Sequence, residues 1–348
     1  MGTRGPASGT IAGVLPSAPR DRDSWDDDVS REIARSAPAR SSSGFYAGAP
    51  EKDPLPLRRD EEEDEEHEEE IPVAPVRRQL SVAIAGFSGL LGVGLILGAQ
   101  TAGPDARLPY AIVLFGVQLL FILAFTMAVR PPAAGIVAGV CVVTAGIADR
   151  MAVTSEPAGL TPLLYVLGGG FLAALVGQAI RAADRARLRD SLGGTFLILL
   201  GVVSFALPIV LTRKPVGTQA VLVCLTAVAV SLLLAHLTDA LWPKPRIAAQ
   251  VPRGAAGIIL GAMVGTLTAA ALGSVLVLPF TPAKGAVLGL VVAVIAGLVD
   301  LAVNYSEAGR SMAGEAPTLW VARHMQGPLG AFALSLPATY GLTVLYLS

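Results

Sequence analysis

Carboxylates all but vanish from this chain after residue 70. Of 27 Asp and Glu side chains, 18 fall in the first 70 positions and nine in the following 278. Charged residues make up only 15% of the whole against 53% hydrophobic ones, too little charge to clothe a soluble surface of 348 residues. Cysteine is equally scarce. Cys141 and Cys224 both lie inside apolar runs without metal-ligand spacing, which excludes a disulfide framework and leaves two small packing residues. Also missing from positions 1–75 is the short apolar stretch behind a basic start that marks a cleavable signal, so the first apolar run is expected to act as an uncleaved anchor.

Over residues 1–76 the chain is rich in Pro, Ser, Ala, Arg and acidic residues, and its few apolar residues never recur at a helical period. Such a segment cannot bury enough apolar surface to offset chain entropy, and a disordered cytoplasmic tail is expected. The run DEEEDEEHEEE at 60–70, with His67 inside it, repels itself and should remain extended and solvated. It serves either as a spacer or as an electrostatic contact for a basic protein surface.

Residues 77–348 carry long apolar runs instead. A bilayer core needs about 20 apolar residues of helix, because lipid offers no partner to a bare backbone amide. Nine runs meet that length, over 80–99, 109–129, 133–148, 160–180, 192–211, 216–237, 254–278, 285–303 and 327–347. Prolines punctuate them: Pro104, Pro109, Pro131, Pro132, Pro157, Pro162, Pro215, Pro243, Pro245, Pro279, Pro282 and Pro328 fall at or between runs. Pro208 and Pro337 fall within runs and predict kinks. The expected fold is therefore all-α, a polytopic membrane bundle of nine helices.

Orientation follows from Lys and Arg, which keep short loops on the cytoplasmic side. With the amino terminus inside, Arg77, Arg78, Arg130, Arg181, Arg185, Arg187, Arg189, Lys244, Arg246, Arg253, Arg310 and Arg323 make 12 basic residues inside. Outside loops hold five: Arg107, Arg150, Arg213, Lys214 and Lys284. The chain is expected in the cell membrane as a multi-pass protein with Ser348 outside. Small residues are expected to mediate helix contacts, notably Gly168, Gly169 and Gly170, the pair Gly135 and Gly139, and the face Gly257, Gly261 and Gly265.

Ionisable residues inside membrane spans are costly and mark function when they occur. Two groups stand near the cytoplasmic ends of spans: His236 with Asp239, and Asp300 followed by Asn304, Tyr305 and Glu307. Asp239 and Asp300 are the candidate metal ligands or catalytic carboxylates. Arg246, Arg253, Arg310 and Arg323, with Lys244 and His324 nearby, are the candidates for an anionic head group. Carboxylates suit Mg²⁺ and guanidinium groups suit phosphate. The competing reading makes the two aspartates interfacial caps at helix ends and the basic residues mere orienting charges. A further pattern pairs PPAAGIVAGVCVVTAGIAD at 131–149 with TPAKGAVLGLVVAVIAGLVD at 281–300, each ending in G-x-x-D on spans of opposite direction. Inverted repeats of that kind are common in secondary transporters.

The last third has a recognisable order: a span ending near Asp239, the basic segment WPKPRIAAQVPRG at 242–254, a Gly-rich span, a short turn, and a span closing with GLVDLAVNY at 297–305. In this layout residues 237–347 resemble the phosphatidate cytidylyltransferase (CDP-diacylglycerol synthase) family. Pro252, Arg253 and Gly254 echo that family's S-P-K-K-T-x-E-G segment, without its Thr and Glu; Val299, Asp300 and Leu301 partly match its G-D-L. Where the family continues to a Ser, a Lys-Arg pair, a Lys-Asp pair and H-G-G-x-x-D-R-x-D, this chain has Ser306, Arg310 and RHMQGPLGAFALSLP at 323–337. The resemblance implies a shared fold more than a shared reaction: a non-catalytic relative that binds lipid, with anionic phospholipid as a candidate partner. An active lipid-nucleotidyl transferase using Mg²⁺ and a small-solute transporter are the alternatives. No nucleic-acid partner is expected, and neither the substrate nor an oligomeric state is readable here.

Overall fold

A computed structural model describes residue 75 and residues 77–103, 107–181 and 185–347, the side chains of 181–190 excepted. The acidic tail expected over 1–76 lies outside the described residues, save residue 75.

Ten helices follow one another with no strand among the described residues: α1 (Arg78–Thr101), α2 (Arg107–Val129), α3 (Ala134–Thr154), α4 (Thr161–Arg181), α5 (Arg185–Ser204), α6 (Leu207–Thr212), α7 (Gly217–Leu241), α8 (Ala255–Val275), α9 (Pro282–Met312) and α10 (Trp320–Tyr346). Among the described residues nine segments are long and apolar enough to cross a bilayer, with α5 and α6 together forming one. Large apolar side chains stand bare on the outside, Leu90, Tyr165, Ile180, Val275 and Leu345 among them, which only hydrocarbon can cover at this density. The chain is a polytopic, all-helical integral membrane protein in contact with lipid.

Helix starts follow proline where its missing amide costs nothing: Pro109 lies in the first turn of α2, Pro162 in that of α4, and Pro282 opens α9. Two boundaries differ from the sequence expectation. The fifth span breaks at Phe205 and Ala206, just ahead of Pro208, because the proline nitrogen cannot donate to the Ser204 carbonyl one turn earlier. Pro328, expected to mark the start of the last run, lies well inside α10 together with Pro337, because the helix starts seven residues earlier than the expected 327. Likewise α9 continues to Met312, well past 303. Both extensions are polar turns projecting beyond the apolar stretch, which hydropathy alone does not mark as helix.

Two groups of helices make the bundle. α7 packs on α1, α8, α9 and α10, while α2, α3, α4 and α5 pack successively, and α10 bridges the groups through α2 and α5. The centre is aromatic and tight: Phe121 stacks on Phe125 at 4.2 Å and meets Phe205 edge-on at 5.7 Å. The α7–α8 contact is made backbone to backbone. A Cβ at Gly261 would lie 2.4 Å from the Ser231 carbonyl oxygen, and one at Gly265 2.7 Å from that of Ala227, so only glycine permits the approach. By contrast Gly135, Gly139, Gly168 and Gly169 face open space: a Cβ at any of them would meet no described atom within 4 Å. Cys141 and Cys224 are free and fully buried.

Candidate functional site

The segment after α7 doubles back on itself. Arg246 and Gly254 form an antiparallel bridge, the Ile247 amide donates to the Arg253 carbonyl at 3.2 Å, and the Ala255 amide donates to that of Pro245 at 2.9 Å. This hairpin drives Arg253 beneath the end of α7. α8 begins immediately afterwards, with Gly254 at its N-cap and so no side chain there to receive the orphan amides. Asp239, in the last turn of α7, supplies the missing acceptor: its Oδ1 takes the Gly254 amide at 3.0 Å. A negative group at a helix amino terminus also meets the positive end of the helix dipole.

Asp239, Asp300, Arg253 and His236 close into one cluster with 0%, 1%, 2% and 2% exposure. The Arg253 guanidinium donates from Nη1 to Asp239 Oδ2, and its Nη2 lies 2.9 Å from Asp300 Oδ2. That second contact is an ion pair poorly aligned for hydrogen bonding, which leaves Nη2, Nε and Asp300 Oδ2 without a hydrogen-bond partner among the described residues. Nη1 also approaches His236 Nδ1 at 2.9 Å, while His236 Nε2 stands 3.2 Å from Asp300 Oδ1. A guanidinium only donates, so Nδ1 must accept and the ring proton sits on Nε2, from which it is donated to Asp300. The imidazole is thus neutral, and two carboxylates face one guanidinium with one negative charge left over. The amino terminus of α8 is the group placed against that excess.

Glycines wall this cluster in. A Cβ at Gly257 would come within 2.6 Å of Asp239 Oδ1, and one at Gly327 within 2.4 Å of Asp300 Oδ1. Asp239 therefore has both oxygens engaged, and Asp300 has one on His236 and the other against Arg253. Octahedral Mg²⁺ coordination needs free carboxylate oxygens and room for several waters, so the arrangement does not fit that ion. Among the described residues no group of three or more His, Cys, Asp or Glu side chains is placed to hold a metal.

Two of the other basic candidates, Arg310 and Arg323, gather around Glu307, in the extension of α9. Glu307 accepts from the Thr318 amide at 3.2 Å, from the Thr318 hydroxyl at 2.8 Å and from Arg310, while Arg323 stands 4.0 Å away. Arg310 also donates to the Ala128 carbonyl, and Arg130 donates to those of Ala316 and Pro317 at 3.1 and 3.3 Å. These bonds clasp the 313–319 connection to the end of α2. His324 packs edge-on to Phe87 and against Trp320 instead of joining the clasp. Lys244 is exposed and Arg246 half-buried on the hairpin, so the structure sorts the head-group candidates into an enclosed one (Arg253), two at Glu307 (Arg310 and Arg323) and one on the hairpin (Arg246).

Two grooves open on the lipid-facing flanks. One, of about 510 Å³, lies between α8 and α9 and is lined by residues such as Ile259, Met263, Leu290 and Leu298; the other, of about 460 Å³, lies between α3 and α4 beside Val143 and Val166. Neither is lined by Asp239, Asp300 or Arg253.

One buried carboxylate does not stand out among the apolar runs. Asp149 lies in α3 with 6% exposure and takes a hydrogen bond of 2.9 Å from Gln118 of α2. The signal was present in the G-x-x-D tetrapeptide shared with Asp300, but ending the third run at 148 put Asp149 just outside it. Gln178, bonded to Thr195 at 2.8 Å and Ser191 at 2.7 Å, is a second polar tie between helices that composition alone does not reveal. Comparison of the chain with protein-family models, curated proteins and solved structures finds no match in any of the three.

Proposed function

We propose that this chain is a non-catalytic membrane protein with the layout of the phosphatidate cytidylyltransferase fold, embedded in the cell membrane with its amino terminus cytoplasmic. One observation carries the reading: the cation between Asp239 and Asp300 is the guanidinium of Arg253, part of the chain itself. In a nucleotidyl transferase those carboxylates would have to release their oxygens to metal and substrate. Here they are spent on the hairpin, on His236 and on the start of α8, which suits a lock between α7, α8 and α9. Also supporting the reading is the absence from 306–337 of the acidic signature that the enzyme family carries.

Anionic phospholipid is the proposed partner. Arg77, Arg78 and Lys244 stand exposed at the end of the bundle that also carries Arg246 and Arg323, and a basic residue at a negative lipid surface contributes about 1 kcal/mol. The test is direct: purified protein with phosphatidic acid, labelled CTP and Mg²⁺ forms no CDP-lipid. Product that disappears in Asp300→Asn would replace this reading with the enzymatic one, and solute uptake into proteoliposomes would replace it with transport.

A further inference from the structure

α3 and α9 end their apolar stretches with the same G-x-x-D tetrapeptide, and both aspartates are buried. Their neighbourhoods differ in charge. Asp300 faces the Arg253 guanidinium at 2.9 Å. Asp149 faces an amide, and no ion pair among the described residues reaches it.

Gln118 is the organiser of this second site. Its Nε2 donates to Asp149 Oδ1 at 2.9 Å and to the Val202 carbonyl of α5 at 3.1 Å, which spends both amide protons and ties α2, α3 and α5 together. The remaining oxygens, Asp149 Oδ2 and Gln118 Oε1, are buried acceptors without a hydrogen-bond partner among the described residues. Gln118 is 0% exposed and Asp149 6%. A carboxylate buried this way, with no compensating charge, is a costly arrangement unless a cation joins it.

Charged groups at this end of the bundle are committed elsewhere or face outward. Arg213 donates to the Ala152 carbonyl at 2.8 Å and pairs with Glu156 at 3.5 Å; Lys214 lies over the Tyr340 ring; Arg150 is exposed. Arg107 stands half-buried at the start of α2, and the Tyr110 hydroxyl bonds to the Leu95 carbonyl. The site is five residues from the end of α3, roughly 8 Å along a helix rising 1.5 Å per residue, so a small cation has a short way in from water.

We propose that Asp149 and Gln118 form a buried binding site for one monovalent cation, a proton or a sodium ion, held between Asp149 Oδ2 and Gln118 Oε1. One positive charge cancels the single carboxylate charge, whereas a divalent ion would leave a charge of opposite sign in the same apolar surroundings. The donor set is oxygen only, and hard oxygen ligands suit both cations. In the proton form an O–H bond forms on Oδ2, the proton coming from water at the near surface, and the new hydroxyl donates to Oε1. In the sodium form both oxygens act as ligands and no covalent bond changes.

The full chain in lipid nanodiscs provides the test. For a proton, infrared spectra of the wild type contain a carboxylic-acid C=O band that shifts in D₂O and is absent from Asp149→Asn. For sodium, NaCl raises the thermal midpoint over equal choline chloride, and Asp149→Asn abolishes the rise. Either pattern supports the site and says which cation fills it. If Asp149→Asn fails to fold, Gln118→Leu is used: it must move the acid band or weaken the sodium effect. Spectra and midpoints that respond to neither substitution, across mildly acid to mildly alkaline buffers with and without sodium, overturn the proposal.

Discussion

Replacing Arg253 by methionine keeps an unbranched apolar stem and removes the guanidinium with its charge. Asp239 Oδ2, Asp300 Oδ2 and His236 Nδ1 then face one another with no donor between them, and the surrounding residues cannot open to water because Gly257 and Gly327 press directly on the carboxylates. Removing one partner of a buried ion pair costs about 3–5 kcal/mol, which is roughly a hundred-fold to a few thousand-fold in the folding equilibrium at about 1.4 kcal/mol per decade. Neutralising the whole cluster is a different perturbation. Asp239→Asn and Asp300→Asn added to Arg253→Met leave amides of nearly the same shape and no uncompensated charge, so the triple variant is expected to regain at least half of the loss. Reversible unfolding in mixed micelles of increasing dodecyl sulfate, followed by helical circular dichroism, measures both. The reasoning fails if Arg253→Met costs less than about 1 kcal/mol, or if the triple variant is no more stable than the single. Restoration of Arg253→Met by Mg²⁺ would also refute it, since the carboxylates would then be acting as metal ligands.

Other perturbations test separate parts of the structure. Gly257→Ala forces a Cβ to within 2.6 Å of Asp239 Oδ1 and 2.7 Å of the Ala235 carbonyl and should cost about 1–3 kcal/mol, whereas Gly139→Ala meets open space and should be nearly neutral in the same titration. Glu307→Ala strips Thr318 and Arg310 of their shared acceptor; Arg310 keeps the Ala128 carbonyl, but the Thr318 amide and hydroxyl are left unpaired at a cost of about 1–3 kcal/mol locally, read as faster proteolysis in the 313–319 connection with the remainder of the bundle intact. Because Cys141 and Cys224 are fully buried, single cysteines placed at Lys244 and Lys284 report sidedness over a low background. A membrane-impermeant maleimide applied to intact cells should label the second and spare the first. Lys244→Ala, at an exposed position of the hairpin, should reduce co-purification of anionic phospholipid without changing the unfolding midpoint.

The sequence made the membrane body legible because apolar length is a bulk property: nine runs near the length of a bilayer core needed no knowledge of which helix touches which. It also singled out His236, Asp239 and Asp300 as candidates, since ionisable groups at the ends of such runs are few. What it could not supply was their mutual geometry. Arg253 is placed among basic residues in the chain and reads as an orienting charge; only the hairpin at 242–254 turns it inward, and that hairpin rests on three backbone pairings with no side-chain signature. The glycines illustrate the same limit from the other side. Gly257, Gly261 and Gly265 do line a helix contact, while Gly135 and Gly139, with the same spacing, face outward within this chain. Spacing places residues on one face, and the identity of the facing partner decides what that face does.

In hydrocarbon, burying leucine against leucine gains little over burying it against lipid, so helices must be held together by close packing and by polar groups that lipid cannot satisfy. The α7–α8 pair uses both devices on one seam. Glycines at 257, 261 and 265 bring the two backbones into contact along the apolar part, and Asp239 continues the same seam into the start of α8 through the Gly254 amide. Each device needs the other. Without the glycines Asp239 could not reach the amino terminus of α8, and without Arg253 its charge would push the seam toward water. Asp300 then adds α9 to the arrangement, with Gly327 of α10 closing over it. The group α2–α5 is built more loosely in charge: Gln118 and Gln178 join helices through neutral amides, and Asp149 is the one described carboxylate buried there. A bundle whose one half is locked by its own guanidinium, and whose other half holds a carboxylate backed only by an amide, is set up to respond to a cation in the second half while the first stays fixed.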